Sequence, residues 1–155
     1  NNVTRFTAAP KFMEILVDYM IDNQIKNTNI RELAVGGAVV NEELVEKLEL
    51  CFPKSKSWII YGSTEAEPMA KIDFKTFLSN CNKAEGYLVG KVVEEANIKL
   101  IDTQMLDINN LPETIEEIEV KKGEKGEIVV SGNHVLKSYI NNEKANREIK
   151  LKFSN

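Results

Sequence analysis

Between residues 11 and 23, KFMEILVDYMIDN, apolar side chains return every three to four positions. Met13, Leu16, Val17 and Met20 share one side of a helical turn, and Phe12, Ile15, Tyr19 and Ile21 widen it. The spacing predicts a helix, and Pro10 suits its first turn, where a backbone N–H has no intrahelical partner to lose. A short apolar run, Leu33 to Val35, then meets Gly36-Gly37 and reads as a strand ending in paired glycines. NEELVEKLEL predicts a second helix, with Asn41 as N-cap and Glu42 and Glu43 in the first turn, where carboxylates suit the helix dipole. Past Pro53 and the basic residues Lys54 and Lys56, SWIIY reads as another strand. Helix, strand, helix, strand in this order predicts an α/β unit with parallel strands, and their continuous apolar runs suit a sheet covered on both faces.

Beyond Pro68 the pattern changes. DFKTFLSN predicts one short helix capped by Asp73. From Gly86 onward YLVGKVV, NIKLID, EIEV and GEIVVSG are strand candidates, and KKGEKGE reads as a turn in which Gly123 and Gly126 are free to take positive φ. NNEKANREIKLKF reads as an amphipathic helix. The expected division is an α/β lobe over residues 1–80 that carries the ligand-site motifs, then a β-rich, partial-barrel lobe over 81–155 ending in a short helix.

Composition narrows the function classes. Of the 155 residues 43% are hydrophobic, enough for a core, and the net charge of −4 argues against a dedicated nucleic-acid binder, which presents a basic face. No apolar run approaches the roughly 20 residues that span a bilayer, and there is no secretory signal pattern. Cys51 and Cys81 have no metal-ligand spacing and read as reduced thiols of a cytoplasmic protein. The chain opens on NNVTRFTAAP without a methionine and stops at EIKLKFSN without a finishing element, so it is expected to be a piece of a longer protein.

The stretch WIIYGSTEAEP runs an apolar strand into a glycine, two hydroxyls and two acids. Parallel α/β sheets place ligands at the carboxyl ends of their strands, and two strands here end in special residues. If the two are neighbours, their ends face one crevice. Gly36 and Gly37 let a flat ligand approach the backbone, Tyr61 offers an aromatic face, and Thr64 offers a hydroxyl to a phosphate oxygen. Glu65 offers a hard oxygen ligand to Mg²⁺, which takes one or two carboxylates together with phosphate oxygens and waters. These are the parts of a nucleotide site. The same residues also read more plainly, Gly-Gly as a turn and Thr-Glu as a helix cap followed by a first-turn acid.

YGSTEAEP resembles the Tyr-Gly-x-Thr-Glu motif of the adenylate-forming superfamily, which includes acyl- and aryl-CoA synthetases, peptide-synthetase adenylation domains and luciferases. VTRFTAAPKFMEIL, IRELAVGGAVVNEELVEKL, GYLVGKVVEEANIKLID and GEKGEIVVSGNHVLKSYINN resemble four further blocks of that family in the family's order. The resemblance implies an ATP-dependent acid–thiol ligase that activates a carboxylic acid as its acyl-adenylate and passes the acyl group to CoA or a carrier-protein pantetheine. It implies that Gly36, Gly37 and Ala38 line the adenine slot and one wall of the acyl pocket, with Tyr61, Gly62, Ser63 and Thr64 completing the nucleotide contacts. Tyr61 would stack on adenine, Thr64 would contact the α-phosphate or the activated carboxylate, and Glu65 would hold Mg²⁺. Val35, Ile60 and Met69 would border the acyl pocket. Glu67 is given no role.

The chain departs from the family pattern in places. Its phosphate loop with lysine, its Thr-Gly-Asp segment and its C-terminal lobe with the catalytic lysine have no counterpart here, and would fall before residue 1 and after Asn155. Ser138 stands where the family favours glycine, and Lys91 where proline or a small residue is usual. The expected partners are the remaining lobes of the parent chain, a small carboxylic acid and a thiol acceptor. The other readings are a non-catalytic nucleotide- or acyl-binding module and a structural domain with a degenerate site. His134, the one histidine, reads as a surface or partly packed residue, and ETIEEIEVKKGEKGE as a solvated hairpin face.

Overall fold

A strand that the hydrophobic pattern did not reveal, β1 (Arg5–Ala8), precedes the first helix. The computed structural model describes residues 2–27, 29–83, 85–107 and 110–153. They fall into two compact units, residues 1–93 and 94–155.

In the first unit β1 leads into α1 (Pro10–Asp22), β2 (Glu32–Gly36), α2 (Glu42–Cys51) and β3 (Lys56–Ser63). There follow β4 (Ala66–Asp73), α3 (Phe74–Leu78) and β5 (Lys91–Val92). The strands form one sheet in the order β1-β2-β3-β4-β5, with β1, β2 and β3 mutually parallel and β3–β4 and β4–β5 antiparallel. Pro10 opens α1. The Asn41 side chain accepts the Leu44 N–H at 2.8 Å and caps α2, satisfying one of the amides that a helix start leaves unpaired.

Side chains alternate across a strand, so one row of partners faces one side of the sheet. Val35, Ile59 and Ile72 are register partners across β2, β3 and β4, and all three are buried. They pack with Leu33, with Met13, Val17 and Met20 of α1, and with Leu44, Val45 and Leu48 of α2. Phe74 and Phe77 of α3 complete this core. Each fully buried side chain of this kind contributes roughly 1.5–3 kcal/mol. Ala34, Trp58 and Ile60, on the opposite face, are half-buried, so the coverage of β2 and β3 is unequal on the two sides.

β4 corrects the expectation that only a short helix follows Pro68. Pro68 and the adjacent apolar pair Met69-Ala70 interrupt the alternation that would mark a strand. Pro68 is tolerated because the β3–β4 register shifts between Tyr61 and Ser63, where the ladder makes no demand on its missing N–H. The short helix itself forms as α3, capped by Asp73.

The second unit holds β6 (Asn97–Ile101) and β7 (Glu127–Ser131), an antiparallel pair. It also holds a 3-10 turn at Ile115–Ile118 and α4 (Glu143–Ile149), capped by the Asn142 side chain. Two strand candidates are corrected here. Of EIEV, Glu117 and Ile118 lie in the 3-10 turn, where Thr114 and Glu117 form a reciprocal cap, and Glu119 makes an isolated bridge to Ile101. Of YLVGKVV only Lys91 and Val92 form a strand, because Gly90 turns the chain with φ +93° just before them, and β5 belongs to the first sheet. No closed barrel is present among the described residues. The acidic run is solvated, and Lys99 Nζ reaches Glu116 at 2.6 Å and Glu119 at 2.7 Å.

Candidate functional site

β2 and β3 are neighbours and run the same way, in register through Gly36 and Ile60. Their carboxyl ends therefore emerge side by side, one continuing as Gly37-Ala38 and the other as Tyr61-Gly62. Between them lies a cavity of about 320 Å³, near the lower end of the range for small-molecule sites. Gly37, Ala38 and Val39 border it from the β2 end, Ile60, Tyr61 and Gly62 from β3. The third side is the stretch Tyr87-Leu88-Val89. Among the described residues no charged side chain lines it.

The glycines do separate jobs. A Cβ on Gly36 would stand 2.5 Å from the Ile60 carbonyl oxygen, so β2 and β3 close up only over a residue without one. Gly37 has φ +84° and open space around its missing Cβ, and turns the chain out of the strand toward α2. A Cβ on Gly62 would stand 2.8 Å from the Ala66 carbonyl oxygen, which reflects the tight crossing of β3 and β4.

Thr64 and Glu65 form the tip of the β3–β4 hairpin. The plainer expectation, a cap and first-turn acid of a following helix, is corrected: the next element is a strand, because the chain reverses within two residues. Ser63 and Thr64 are exposed and Glu65 is half-buried. Gly37, Ala38, Ile60, Tyr61 and Gly62 thus meet at one cavity, Gly36 lies at the strand contact beneath it, and the hydroxyl–carboxylate group follows directly from its rim. Val35 and Met69 are placed elsewhere: they are 0% and 6% exposed, and neither borders the cavity. Sequence reasoning missed Val39 and the stretch 87–89. The available signal was the pair of glycines, Gly86 and Gly90, that brackets the latter. His134, in the second unit, keeps both ring nitrogens buried without a hydrogen-bond partner.

A sheet with helices packed on it, and a ligand-sized cleft at the carboxyl ends of adjacent parallel strands, is the arrangement in which α/β proteins bind small molecules. Residues 1–140 match the family model described as AMP-binding enzyme, and the chain belongs to that family. It is similar to the olefin beta-lactone synthetase of Xanthomonas campestris, at 30% identity over 154 residues, which cover 97% of this chain and 26% of that protein. It is also similar to 4-coumarate-CoA ligase 1 of Narcissus pseudonarcissus, 31% identical over 155 residues, 93% of this chain and 25% of that one. The chain spans about a quarter of the length of these relatives. Among solved structures, a long-chain-fatty-acid-CoA ligase from Archaeoglobus fulgidus superimposes with a TM-score of 0.69 at 24% identity, covering 94% of this chain and 28% of that one. The O-succinylbenzoate coenzyme A synthetase of Bacillus subtilis in complex with AMP gives 0.68 at 22%, covering 95% and 26%. These two structures share its fold.

Proposed function

We propose that the protein containing this chain is an AMP-forming acid–thiol ligase. The observation that carries this reading is the meeting of Gly37-Ala38 and Tyr61-Gly62 at one cavity, with Thr64 and Glu65 immediately beyond it. Membership of the AMP-binding family and likeness to 4-coumarate-CoA ligases support it. A carboxylate oxygen of the acid attacks the α-phosphorus of ATP, the bond to the bridging oxygen breaks, and pyrophosphate leaves with that electron pair. The thiol sulfur of CoA or a carrier-protein pantetheine then attacks the acyl carbon, AMP departs, and the thiol proton goes to solvent.

In this reading the Gly37-Ala38 backbone and the Tyr61 ring hold the adenine, and Ile60 borders the acyl group. The Thr64 hydroxyl donates to an oxygen of the α-phosphate or of the carboxylate, stabilising charge that develops as the two anions meet. Among the described residues no three metal-ligating side chains cluster. A single carboxylate at the hairpin tip therefore fits Mg²⁺, which draws its other ligands from phosphate oxygens and water, and fits poorly a metal that needs a full protein cage. Glu65 would hold that ion, which supplies charge neutralisation at the phosphates. The acid is a small molecule, apolar where Ile60 borders it. Two free thiols and, among the described residues, no helix long and apolar enough to cross a membrane suit a cytoplasmic setting. The 155-residue piece by itself is inactive in this reading, because it carries a quarter of the length of its relatives.

The test is ATP–pyrophosphate exchange by the full-length protein across a panel of aliphatic and aryl carboxylic acids. Exchange with at least one acid is expected, reduced by about 100-fold or more in Glu65→Gln. Absence of exchange with every acid while AMP still binds would favour the non-catalytic module, and unchanged exchange in Glu65→Gln would remove the metal role from Glu65.

A further inference from the structure

The third wall of the cavity contains no residue to which the resemblance assigns a role. Tyr87 is 75% exposed, yet it borders the same cavity as Tyr61, which stands near the end of β3. The stretch that carries it is held at its far end, at Gly90. Gly86 takes φ +86° with open space beside it, so the chain turns there without hindrance. Gly90 takes φ +93°, and a Cβ on it would overlap the Lys71 carbonyl, so the backbone is pressed against β4. Beyond Gly90, Lys91 and Val92 pair with Lys71 and Ala70, and the Val93 N–H donates to the Met69 carbonyl at 3.1 Å. Leu88 packs inward against the core. Residues 87–89 are therefore anchored by Leu88 and at Gly90, and they present one aromatic ring outward at the rim.

The chemistry of the lining decides what this ring would meet. A site made of backbone, apolar groups and two phenol rings, without a charged side chain, suits the uncharged and flat portion of a ligand. The phosphates of a nucleotide belong toward the hydroxyls of Ser63 and Thr64. Aromatic faces stack on nucleobases whatever their hydrogen-bonding pattern. The geometry points to Tyr87 as a second aromatic contact for the base, in addition to Tyr61, so that the adenine of a bound nucleotide is held from the rim as well as from the β3 end. This rests on the nucleotide reading of the site. Because Tyr87 is largely exposed, its ring has little to lose on folding, and its contribution goes to binding the base.

The experiment is titration calorimetry of AMP into the full-length protein, with Tyr87→Ala and Tyr87→Phe. Tyr87→Ala is expected to weaken AMP binding about tenfold. Tyr87→Phe, which keeps the ring, is expected to bind as the wild type does, and neither change should alter the melting temperature. Equal AMP affinity in wild type and Tyr87→Ala would overturn the inference and leave the nucleotide site standing. Loss of affinity in Tyr87→Phe equal to that in Tyr87→Ala would also overturn it, since the hydroxyl and not the ring would then be responsible. Failure of the wild type to bind AMP would sink the nucleotide reading itself, and the role of Tyr87 with it.

Discussion

The missing Cβ of Gly36 points at the carbonyl oxygen of Ile60 across the β2–β3 pair, where an added methyl would stand only 2.5 Å away. One residue later the constraint is of another kind. Gly37 has room for a side chain but holds φ +84°. Gly36→Ala should therefore destabilise the protein by about 1–3 kcal/mol through overpacking against backbone that cannot move aside. Gly37→Ala should cost about 1–2 kcal/mol of backbone strain, and Gly37→Asn less, because asparagine visits positive φ more readily. Urea denaturation of the four variants, Gly36→Asn included, checks this. A Gly36→Asn protein as stable as Gly37→Asn would contradict the close-contact account.

The Asp73 carboxylate caps α3 by accepting the Thr76 N–H at 2.9 Å. Hydrogen bonds from Thr76, through both hydroxyl and backbone N–H, hold its carboxyl below the usual carboxylate range. A depressed folded-state value means that the stabilisation is fully present above the ordinary carboxylate pKa. It is lost as pH falls through the lower, folded value. Asp73→Ala should cost about 0.5–2 kcal/mol at neutral pH. The gap between variant and wild type should narrow below about pH 4, as the carboxylate is protonated in the unfolded and then in the folded chain. Melting curves from pH 7 to pH 3 measure both. A gap that stays constant with pH would mean that charge plays no part in the cap.

The two thiols should react differently. Cys51 is buried in the core, its Sγ 3.9 Å from the Val17 carbonyl, and burial raises its pKa. Cys81 is half-buried at the end of α3. Iodoacetamide should label Cys81 in the native protein and reach Cys51 only on unfolding, because the thiolate is the reactive form and burial disfavours it. Mass spectrometry of labelled peptides reads the order. Equal rates at the two sites would show that α2 opens readily from the sheet.

Leu48 and Leu50 sit two residues apart on α2 and face opposite ways, 0% and 51% exposed. Leu48→Ala should cost about 2–5 kcal/mol by leaving a cavity against the sheet. Leu50→Ala should stay within about 0.5 kcal/mol of the wild type. Similar losses at both positions would place α2 in a different rotation about its axis.

Much of the first unit was legible in the chain because its signals are local. The 3.6-residue recurrence of Met13, Val17 and Met20 marks α1, Pro10 marks its start, and Asn41 and Asp73 mark two more helix starts by side chains that reach only three residues ahead. β4 was hidden because what makes it a strand is its pairing with β3, and Pro68 with the adjacent apolar pair Met69-Ala70 breaks its alternation. EIEV carries strand-like residues but its first half lies in a 3-10 turn, since the Thr114–Glu117 cap competes locally with extended backbone.

The candidate site divides in the same way. Gly36-Gly37 and Tyr61 to Glu65 stand out in one dimension, because a glycine pair or a hydroxyl–carboxylate group at a strand end is unusual however the rest of the chain folds. That β2 and β3 are neighbours, that Thr64 and Glu65 cap a hairpin instead of opening a helix, and that Val35 and Met69 turn inward all depend on which strands pair and in what register. Tyr87 shows this most clearly. It comes 26 positions after Tyr61 in the chain, and only the antiparallel seating of β5 on β4, with Gly90 pressed to the Lys71 carbonyl, carries its ring to the cavity that Tyr61 borders. Residue type and local spacing set which chemistry the chain can offer. Long-range strand pairing, which no short window encodes, set which of those groups share a site.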